Sequence, residues 1–433
     1  MQKEEIFESS ISDRTVLYAI LAFLWIETLW ELYLAARQYS KCLKTEEVPA
    51  ELESVMTKET FNKARLYSLD KSKFNFIHDI FSLSVTTMMI YCGVLAKLWS
   101  YSESINPWEG EVLISCIWIF LFTTISTIID LPFTIFYTFV LEEKYGFNKQ
   151  TPKFFVVDKI KWFIFQQAIS LPLSSLTIVI IKYGGPFFFV WLWLVVGVIA
   201  LLMITIYPAF IAPLFDKYTP LPEGELRADI ETLASDLKFP LTQLYVVEGS
   251  KRSSHSNAYF YGLFKSKRIV LFDTLLQNDD SGCKNDEILA VLSHELGHWS
   301  HGHIIKNLVI MQLHLLFVFV FFSFMFQFSP VYQALGFPAG CQPVLVGLMV
   351  ISTYVMTPYN SLLSFIMTCL SRHFEFQADE FAAKLKKAEP LQRALIKLNK
   401  DNLGFPVYDD LYSSWHHSHP PLLERMKALK KFE

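Results

Sequence analysis

Residues 187–215, FFFVWLWLVVGVIALLMITIYPAFIAPLF, decide the architecture of this chain, because they form an apolar run without a charged side chain. The hydrocarbon core of a bilayer is about 30 Å thick and needs roughly 20 apolar residues per helix, so this run predicts a membrane-spanning helix. Pro208 and Pro213 are expected to kink or end it. Charged residues make up 18% of the whole chain, against about 25% in soluble proteins, which also indicates a membrane protein.

Six further runs are long and apolar enough to span a bilayer, which makes seven in all. They cover residues 16–33, 80–99, 112–141, 162–181, 308–328 and 343–370. Glu27 and Glu31 interrupt the first run, Asp130 lies in the third and His314 in the sixth. Ionisable groups inside a membrane line a water-filled cavity or pack against a polar group of a neighbouring helix, and the sequence leaves both alternatives open.

Basic residues in the connecting loops predict the orientation of the spans. Lysines and arginines are frequent in the loops after the first and third spans, whereas the loop at residues 329–342 has none. Because cytosolic loops carry the excess of basic residues, residues 216–306 and the C-terminus are predicted to be cytosolic. The N-terminus then faces the opposite compartment.

Composition excludes several functional classes. The net charge is −4 and no dense basic tract with interleaved aromatic residues occurs, so nucleic acid is not an expected partner. The six cysteines are scattered without a C-x-x-C pair, which excludes a disulfide scaffold and a cysteine-based zinc finger. Glu4, Glu5 and Glu8 argue against a cleaved signal peptide.

The polar segments divide the chain into four predicted parts. Residues 1–215 hold the first five spans, 216–306 a cytosolic segment, 307–370 the last two spans, and 371–433 a second cytosolic segment. Within the first cytosolic segment the pattern predicts a helix over 223–238, strands over 244–248, 258–261 and 269–272, and a helix over 286–301 with Asn285 as its N-cap. The predicted fold class is therefore mainly α, a seven-helix membrane bundle with a soluble domain that contains a small β-sheet.

The helix predicted over 286–301 carries His294-Glu295-Leu296-Gly297-His298, an H-E-x-x-H motif. Residues four apart lie on one helix face, so both imidazoles can reach one metal ion. Zinc held by three protein ligands keeps a position open for water and brings the pKa of that water near neutrality. Glu295 is placed to take the water proton and pass it to the leaving amine. The motif predicts a zinc metalloprotease with one ion per chain.

A third ligand is required, and Glu375 in residues 375–379, EFQAD, is the best candidate. Asp379 lies one turn further on the same face and is expected to accept a hydrogen bond from a ligating histidine, which fixes the histidine tautomer. Taken alone, an E-x-x-x-D pattern is more often a solvated helix face. The incomplete ligand set of the H-E-x-x-H motif reverses that preference.

His301 and His303 follow the motif closely. Their spacing from His298 does not place them on the same helix face. The sequence predicts that they form an exposed polar cluster at the membrane boundary.

These features together resemble the type I CaaX prenyl protease family of integral-membrane zinc endopeptidases. Besides H-E-x-x-H and the distant E-x-x-x-D, six stretches match the pattern of that family. They are residues 61–74 (FNKARLYSLDKSKF), 130–137 (DLPFTIFY), 139–150 (FVLEEKYGFNKQ), 249–261 (GSKRSSHSNAYFY), 267–275 (KRIVLFDTL) and 411–429 (LYSSWHHSHPPLLERMKAL). The resemblance covers nearly the whole chain, with no departure at a catalytic position.

The resemblance implies that the membrane helices enclose a water-filled chamber, with a gluzincin-like zinc site facing it near the cytosolic side. It implies substrates that end in a farnesylated or geranylgeranylated cysteine followed by three residues, which the enzyme removes. Some members of the family also cut upstream in the same substrate. By analogy, His294, His298 and Glu375 hold the zinc ion and Glu295 is the general base.

The resemblance also implies roles around the cleft. Asn257 and the strand that follows it would bind the substrate backbone by strand addition. His419 would donate a hydrogen bond to the oxyanion of the tetrahedral intermediate. For Arg425, a substrate role and a salt bridge with Asp379 or Glu375 are equally expected.

Lys430 and Lys431, the fourth and third residues from the end, resemble a dilysine retrieval signal of the endoplasmic reticulum. A solvated basic tail is the alternative interpretation. With the signal, the prediction is a multi-pass protein of the endoplasmic reticulum membrane, and the nuclear envelope is a second candidate location.

Several rival functions share part of the pattern. A membrane di-iron oxygenase would need more histidine boxes and would give Glu295 no role. An intramembrane site-2-type protease sets H-E-x-x-H inside an apolar span, whereas Lys284, Asp286 and Glu287 precede the motif here. A membrane quality-control protease would share the chemistry. A transporter or a non-catalytic scaffold could lose Glu295 freely, yet it is present.

Overall fold

The computed structural model describes residues 12–251, 255, 258–262, 267–276 and 282–432. Its first half is built from long helices. They are α1 (Asp13–Lys44), α2 (Lys58–Tyr91), α3 (Val94–Ile105), α4 (Glu111–Phe136), α5 (Pro152–Tyr183) and α6 (Phe188–Ile206). Side-chain oxygens of Ser12, Thr57 and Thr151 accept hydrogen bonds from first-turn N–H groups and so fix where α1, α2 and α5 begin.

The second half alternates polar and apolar helices. They are α7 (Glu225–Asp236), α8 (Asn285–Ser300), α9 (His303–Met325), α10 (Ser329–Ala334), α11 (Val344–Val350), α12 (Thr357–Lys384), α13 (Ala388–Asp401), α14 (Asp410–His416) and α15 (Leu422–Leu429). Helix α12 begins in an apolar region, exposing Leu362 and Ile366, and ends among the soluble elements.

Within the described residues, five helices are long and apolar enough to cross a membrane, namely α1, α4, α5, α6 and α9. Two pairs, α2 with α3 and α11 with α12, qualify together but are bent by 63° and 61°. Counting each bent pair as one span gives the predicted number of seven. The run predicted at 80–99 is not one straight helix, because it crosses the first bend at Gly93, whose φ of +62° favours glycine.

The spans expose many large apolar side chains, as surfaces that face lipid do. Examples are Phe23, Ile128, Trp191 and Phe324. The predicted effect of the two prolines is confirmed, because α6 ends at Ile206. A π-helical turn, Tyr207–Ile211, and a 3-10 turn, Ala212–Leu214, follow it. A proline ring cannot sit in a regular helix without displacing the carbonyl four residues earlier.

The ionisable groups predicted inside the spans are each paired with a polar group from another helix. The pairs are Glu27 Oε1 with Ser361 Oγ (2.5 Å), Glu31 Oε1 with Trp415 Nε1 (2.8 Å), Asp130 Oδ1 with His78 Nε2 (3.0 Å), and His314 Nδ1 with Tyr359 Oη (3.0 Å). Of the two alternatives that the sequence left open, these contacts support polar packing between helices.

The small sheet lies between α6 and α8 in the chain. Its strands are β1 (Tyr218–Pro220), β2 (Leu241–Val247), β3 (Ala258–Tyr261) and β4 (Lys267–Phe272), in the order β1-β2-β4-β3. The pair β2 and β4 is parallel, and the other pairs are antiparallel. Strand β3 has the predicted bounds, β2 and β4 begin before the predicted residues, and β1 was not predicted. Strand β3 lies at the edge of the sheet.

Two predicted helices of this segment are confirmed with changed ends. Helix α7 is two residues shorter at each end than the predicted 223–238. The prediction of Asn285 as the N-cap of α8 is wrong: Lys284 is the cap, and its backbone N–H donates to Glu287 Oε2 at 3.0 Å. The acidic residue three positions after the cap satisfies that donor.

Helix α8 lies in the core of the soluble part. Its side chains Ile288, Leu292 and Leu296 are buried in one apolar cluster with Ala382 of α12 and Leu391 of α13. The core therefore holds α8 against α12, which are the two helices that carry the predicted ligands.

Candidate metal centre

A close approach of α8 to α12 sets the geometry of the site. A Cβ atom on Gly297 would lie 3.0 Å from the Cα and 3.2 Å from the carbonyl oxygen of Ala378. Both neighbours are backbone atoms, which cannot rotate away. Gly297 is thus the residue of the H-E-x-x-H motif that lets α8 and α12 meet at this distance.

Gly297→Ala is expected to destabilise the protein by about 1–3 kcal/mol, because overpacking a well-filled contact costs that much. The same shift should weaken metal binding, since the ligands stand on both helices. Thermal unfolding and a zinc-binding titration measure the two effects. Ser300→Ala, at the exposed end of α8, is the control, and equal behaviour of the two variants would contradict the packing argument.

The three predicted ligands converge. His294 Nε2 lies 3.2 Å from His298 Nε2 and 3.5 Å from Glu375 Oε2, and His298 Nε2 lies 3.2 Å from Glu375 Oε1. One ligand atom from each residue can be chosen so that all lie within 4.8 Å of one another. Ligand atoms about 2.0–2.2 Å from a tetrahedral zinc ion are roughly 3.4 Å apart. These separations therefore fit a single ion of that size.

The chemistry of the donors also fits a cation. Two imidazole nitrogens face each other, and Glu375, which is 2% exposed, points its carboxylate between them. Among the described residues, no donor meets Glu375 Oε2 with hydrogen-bonding geometry, although His419 Nδ1 is 2.9 Å away. A buried carboxylate oxygen without a hydrogen-bond donor is rare in proteins. A metal ion would satisfy that oxygen and both nitrogens.

Buried Asp379 and Arg425 hold the ring of His294 at Nδ1, the nitrogen that faces away from the other ligands. His294 Nδ1 donates to Asp379 Oδ1 at 2.8 Å, and Asp379 accepts two hydrogen bonds from the guanidinium of Arg425 at 2.6 and 2.9 Å. Burial and the Arg425 cation oppose protonation of His294, but the hydrogen bond to Asp379 and the nearby Glu375 carboxylate outweigh them and raise the pKa of His294 to about 9. The negative potential that attracts a proton there also attracts a metal cation.

His298 has its own partner, which the sequence prediction missed. Its Nδ1 lies 2.9 Å from Nδ1 of His303, whose Nε2 lies 2.9 Å from Oε1 of Gln377. His303 is 2% exposed, so the prediction of an exposed cluster is wrong for this residue. The reason is the turn between α8 and α9: Gly302, with φ of +66°, reverses the chain and brings His303 back beneath His298.

Glu295 and His419 flank the cluster. Glu295 is half-buried, and burial raises the pKa of its carboxyl above the usual value. A carboxylate with a raised pKa is a better proton acceptor at neutral pH. His419 is exposed, with 69% of its side chain accessible, and its Nδ1 stands beside Glu375. Both side chains can therefore meet a molecule that enters from outside.

The remaining predicted residues differ in outcome. The guanidinium of Arg425 contacts Asp379, Glu375 (3.6 Å) and His294 (3.3 Å). These contacts support the salt-bridge alternative, and the substrate role of Arg425 stays a prediction. Asn257 lies outside the described residues. Sequence spacing signalled the acids of α12, but no sequence signal marked Gln377, whose partner is set by the turn at Gly302.

Comparison with known proteins assigns both halves of the chain. Residues 38–217 match the family described as CAAX prenyl protease N-terminal, five membrane helices, and residues 220–433 match peptidase family M48. A mouse CAAX prenyl protease 1 homolog is 48% identical, over 97% of this chain and 96% of its own length. The CAAX prenyl protease 1 of Saccharomyces cerevisiae is 39% identical over 92% of both chains.

A solved structure agrees with these relatives. The crystal structure of S. mikatae Ste24p superposes with a TM-score of 0.89 at 40% sequence identity, covering 96% of this chain and 98% of that chain. The similarity therefore extends over the membrane helices and the soluble elements together.

Proposed function

The chain belongs to the CAAX prenyl proteases of peptidase family M48, and we propose that His294, His298 and Glu375 hold the metal ion on which its activity depends. The protein is a membrane-embedded metalloendopeptidase that removes the three residues following a prenylated cysteine. The observation that carries the assignment of the site is the convergence of three ligand atoms within 4.8 Å.

Zinc is the ion that this donor set favours, because two imidazoles and one carboxylate are the ligands of catalytic zinc sites in peptidases. Bound there, it would supply Lewis-acid chemistry that polarises a carbonyl and makes water nucleophilic at neutral pH. Asp379 and Arg425 keep the ring of His294 oriented, with its Nδ1–H engaged and Nε2 directed to the cluster.

Glu295 performs the proton transfers. It lies in the same helical turn as both histidines and stands outside the three-atom cluster. We assign it the removal of a proton from the attacking water and the delivery of that proton to the leaving amine. Its raised pKa, caused by burial, suits both steps. His419, beside Glu375 and exposed, is assigned the hydrogen bond to the substrate carbonyl oxygen as that oxygen gains negative charge.

Strand β3 supports the predicted strand addition of substrate. It is an edge strand that packs against α8, so a peptide laid along its outer side would run next to H-E-x-x-H. Main-chain hydrogen bonds of that kind bind an extended peptide largely independently of its sequence.

The membrane setting completes the proposal. We place the protein in the endoplasmic reticulum, with the metal site and the C-terminus on the cytosolic side, where prenylated proteins are found. The basic loops after the first and third spans support this orientation. The chamber enclosed by the membrane helices and the second, upstream cleavage stay predictions.

The test uses the purified full-length protein in detergent or lipid vesicles. A farnesylated C-terminal peptide should lose its last three residues, its unprenylated twin should be cleaved far more slowly, and a chelator should stop the reaction until zinc is returned. Mass spectrometry of the released tripeptide is the readout. Cleavage that persists in chelator, with no metal left in the protein, would contradict the metal-dependent mechanism.

A further inference from the structure

One buried histidine next to the three proposed metal ligands has no role in the mechanism described above. His303 opens α9, lies face to face with the ring of Phe374 of α12 at 3.9 Å between centroids, and is 2% exposed. Both of its ring nitrogens are engaged, Nδ1 with His298 and Nε2 with Gln377, at 2.9 Å each. Packing alone would not require a polar ring with two partners here.

The directions of these hydrogen bonds follow from the role of His298. If its Nε2 faces a metal ion, the proton of the neutral ring must be on Nδ1, which then donates to His303 Nδ1. His303 consequently carries its own proton on Nε2 and donates to Gln377 Oε1, an amide oxygen that can only accept. With one tautomer of each ring, both hydrogen bonds in the row His298–His303–Gln377 have a donor and an acceptor.

We propose that His303 is a positioning residue for the metal ligand His298, and that Gln377 fixes His303 in the tautomer this role requires. The inference rests on the metal site proposed above and adds to it the partner of the second histidine. Helix α12 then supplies Glu375 as a ligand, Gln377 for the row behind His298, and Asp379 for His294.

The two ligating histidines are held by different chemistry. His294 donates to a carboxylate, Asp379, whereas His298 donates to a neutral imidazole. A carboxylate partner increases the electron donation of a histidine to its metal. A neutral partner orients His298 without adding negative charge, which leaves the metal a stronger Lewis acid than two carboxylate partners would.

His303→Phe tests the proposal, because it keeps an aromatic ring against Phe374 and removes the acceptor for His298. Zinc affinity of the full-length protein, measured by competition with a chromophoric chelator, should fall about 10–100-fold, as for other lost partners of metal ligands. The absorption spectrum of the cobalt-substituted protein should shift, since the geometry of the His298 ligand changes. The kcat should fall with little change in KM.

A conservative variant separates positioning from packing. The carbonyl oxygen of Asn can stand where Nδ1 of His303 does, so His303→Asn should recover zinc affinity relative to His303→Phe. Gln377→Leu should weaken zinc binding as well, and adding it to His303→Phe should cause little further loss, because both changes break the same row. His301→Phe is the matched control and should leave zinc affinity unchanged, because His301, the C-cap of α8, is bonded to the Gly297 carbonyl instead.

The outcomes are distinguishable. If the wild-type protein binds zinc and His303→Phe binds it equally tightly with an unchanged cobalt spectrum, this inference is wrong and the metal site stands. Fully additive losses in the double variant would likewise contradict a shared row. If the wild-type protein binds no zinc, the proposed metal site itself fails.

Discussion

Glu295→Gln is expected to lower the rate of cleavage of a farnesylated peptide by about 10³-fold, within the range attributed to general acid–base catalysis. Gln has the shape of Glu but its amide cannot accept the proton of the attacking water. The zinc content should stay at that of the wild type, because Glu295 contributes no atom to the ligand cluster. Steady-state assay and elemental analysis of the same preparation measure both quantities.

The control for this variant is Glu380→Gln. Glu380 is an exposed acid on α12 that pairs with Lys384 at 2.8 Å, so the same chemical change there should leave cleavage and zinc unaffected. Hydrolysis at the wild-type rate by a Glu295→Gln preparation free of wild-type enzyme would remove the general-base assignment. Loss of zinc together with activity would place Glu295 among the ligands instead.

Glu375→Ala should have the second large effect, a loss of both bound zinc and activity. The variant leaves two imidazoles, and a catalytic zinc site has three protein ligands. We expect zinc affinity to fall by more than the about 100-fold that marks the loss of an outer partner. The remaining pair, Asp379 and Arg425, is neutral in sum and stays bonded, so the fold around α12 should persist.

Glu380→Ala is the matched control, because it removes an acid from the same helix on the exposed side. Circular dichroism of the metal-free proteins separates a lost ligand from a lost fold. Full zinc occupancy in Glu375→Ala would mean that a different acid completes the site.

The proposed ligand set could be predicted from the sequence, because local rules indicate it. Helix periodicity places His294 and His298 on one face, and zinc chemistry requires a third ligand, which directs attention to the acids of residues 375–379. The structure brings Glu375 and Asp379 to the places that these rules indicate. Helix spacing and the need for a third ligand together indicated this part of the site, although 76 residues separate His298 from Glu375.

Other features were not predictable, because they depend on chain turns rather than on periodicity. His303 is five residues from His298, a spacing without meaning on a helix, and only the reversal at Gly302 makes it a neighbour. The bends at residues 93 and 356 do not show in mean hydropathy, because an apolar run can be long enough to span a membrane whether it is broken or straight. Strand β1 has three residues, too few for an alternating pattern.

The length of helix α12 implies a structural role for the metal ion. At 28 residues, and a rise of about 1.5 Å per residue, it is a rod of roughly 42 Å. Its first half exposes the apolar residues Leu362 and Ile366, and its second half carries Glu375 and Asp379. A metal ion bound by residues of both α12 and α8 would cross-link the two helices, and through them the apolar and polar parts of the chain. Removal of the ion would therefore weaken this contact as well as stop turnover.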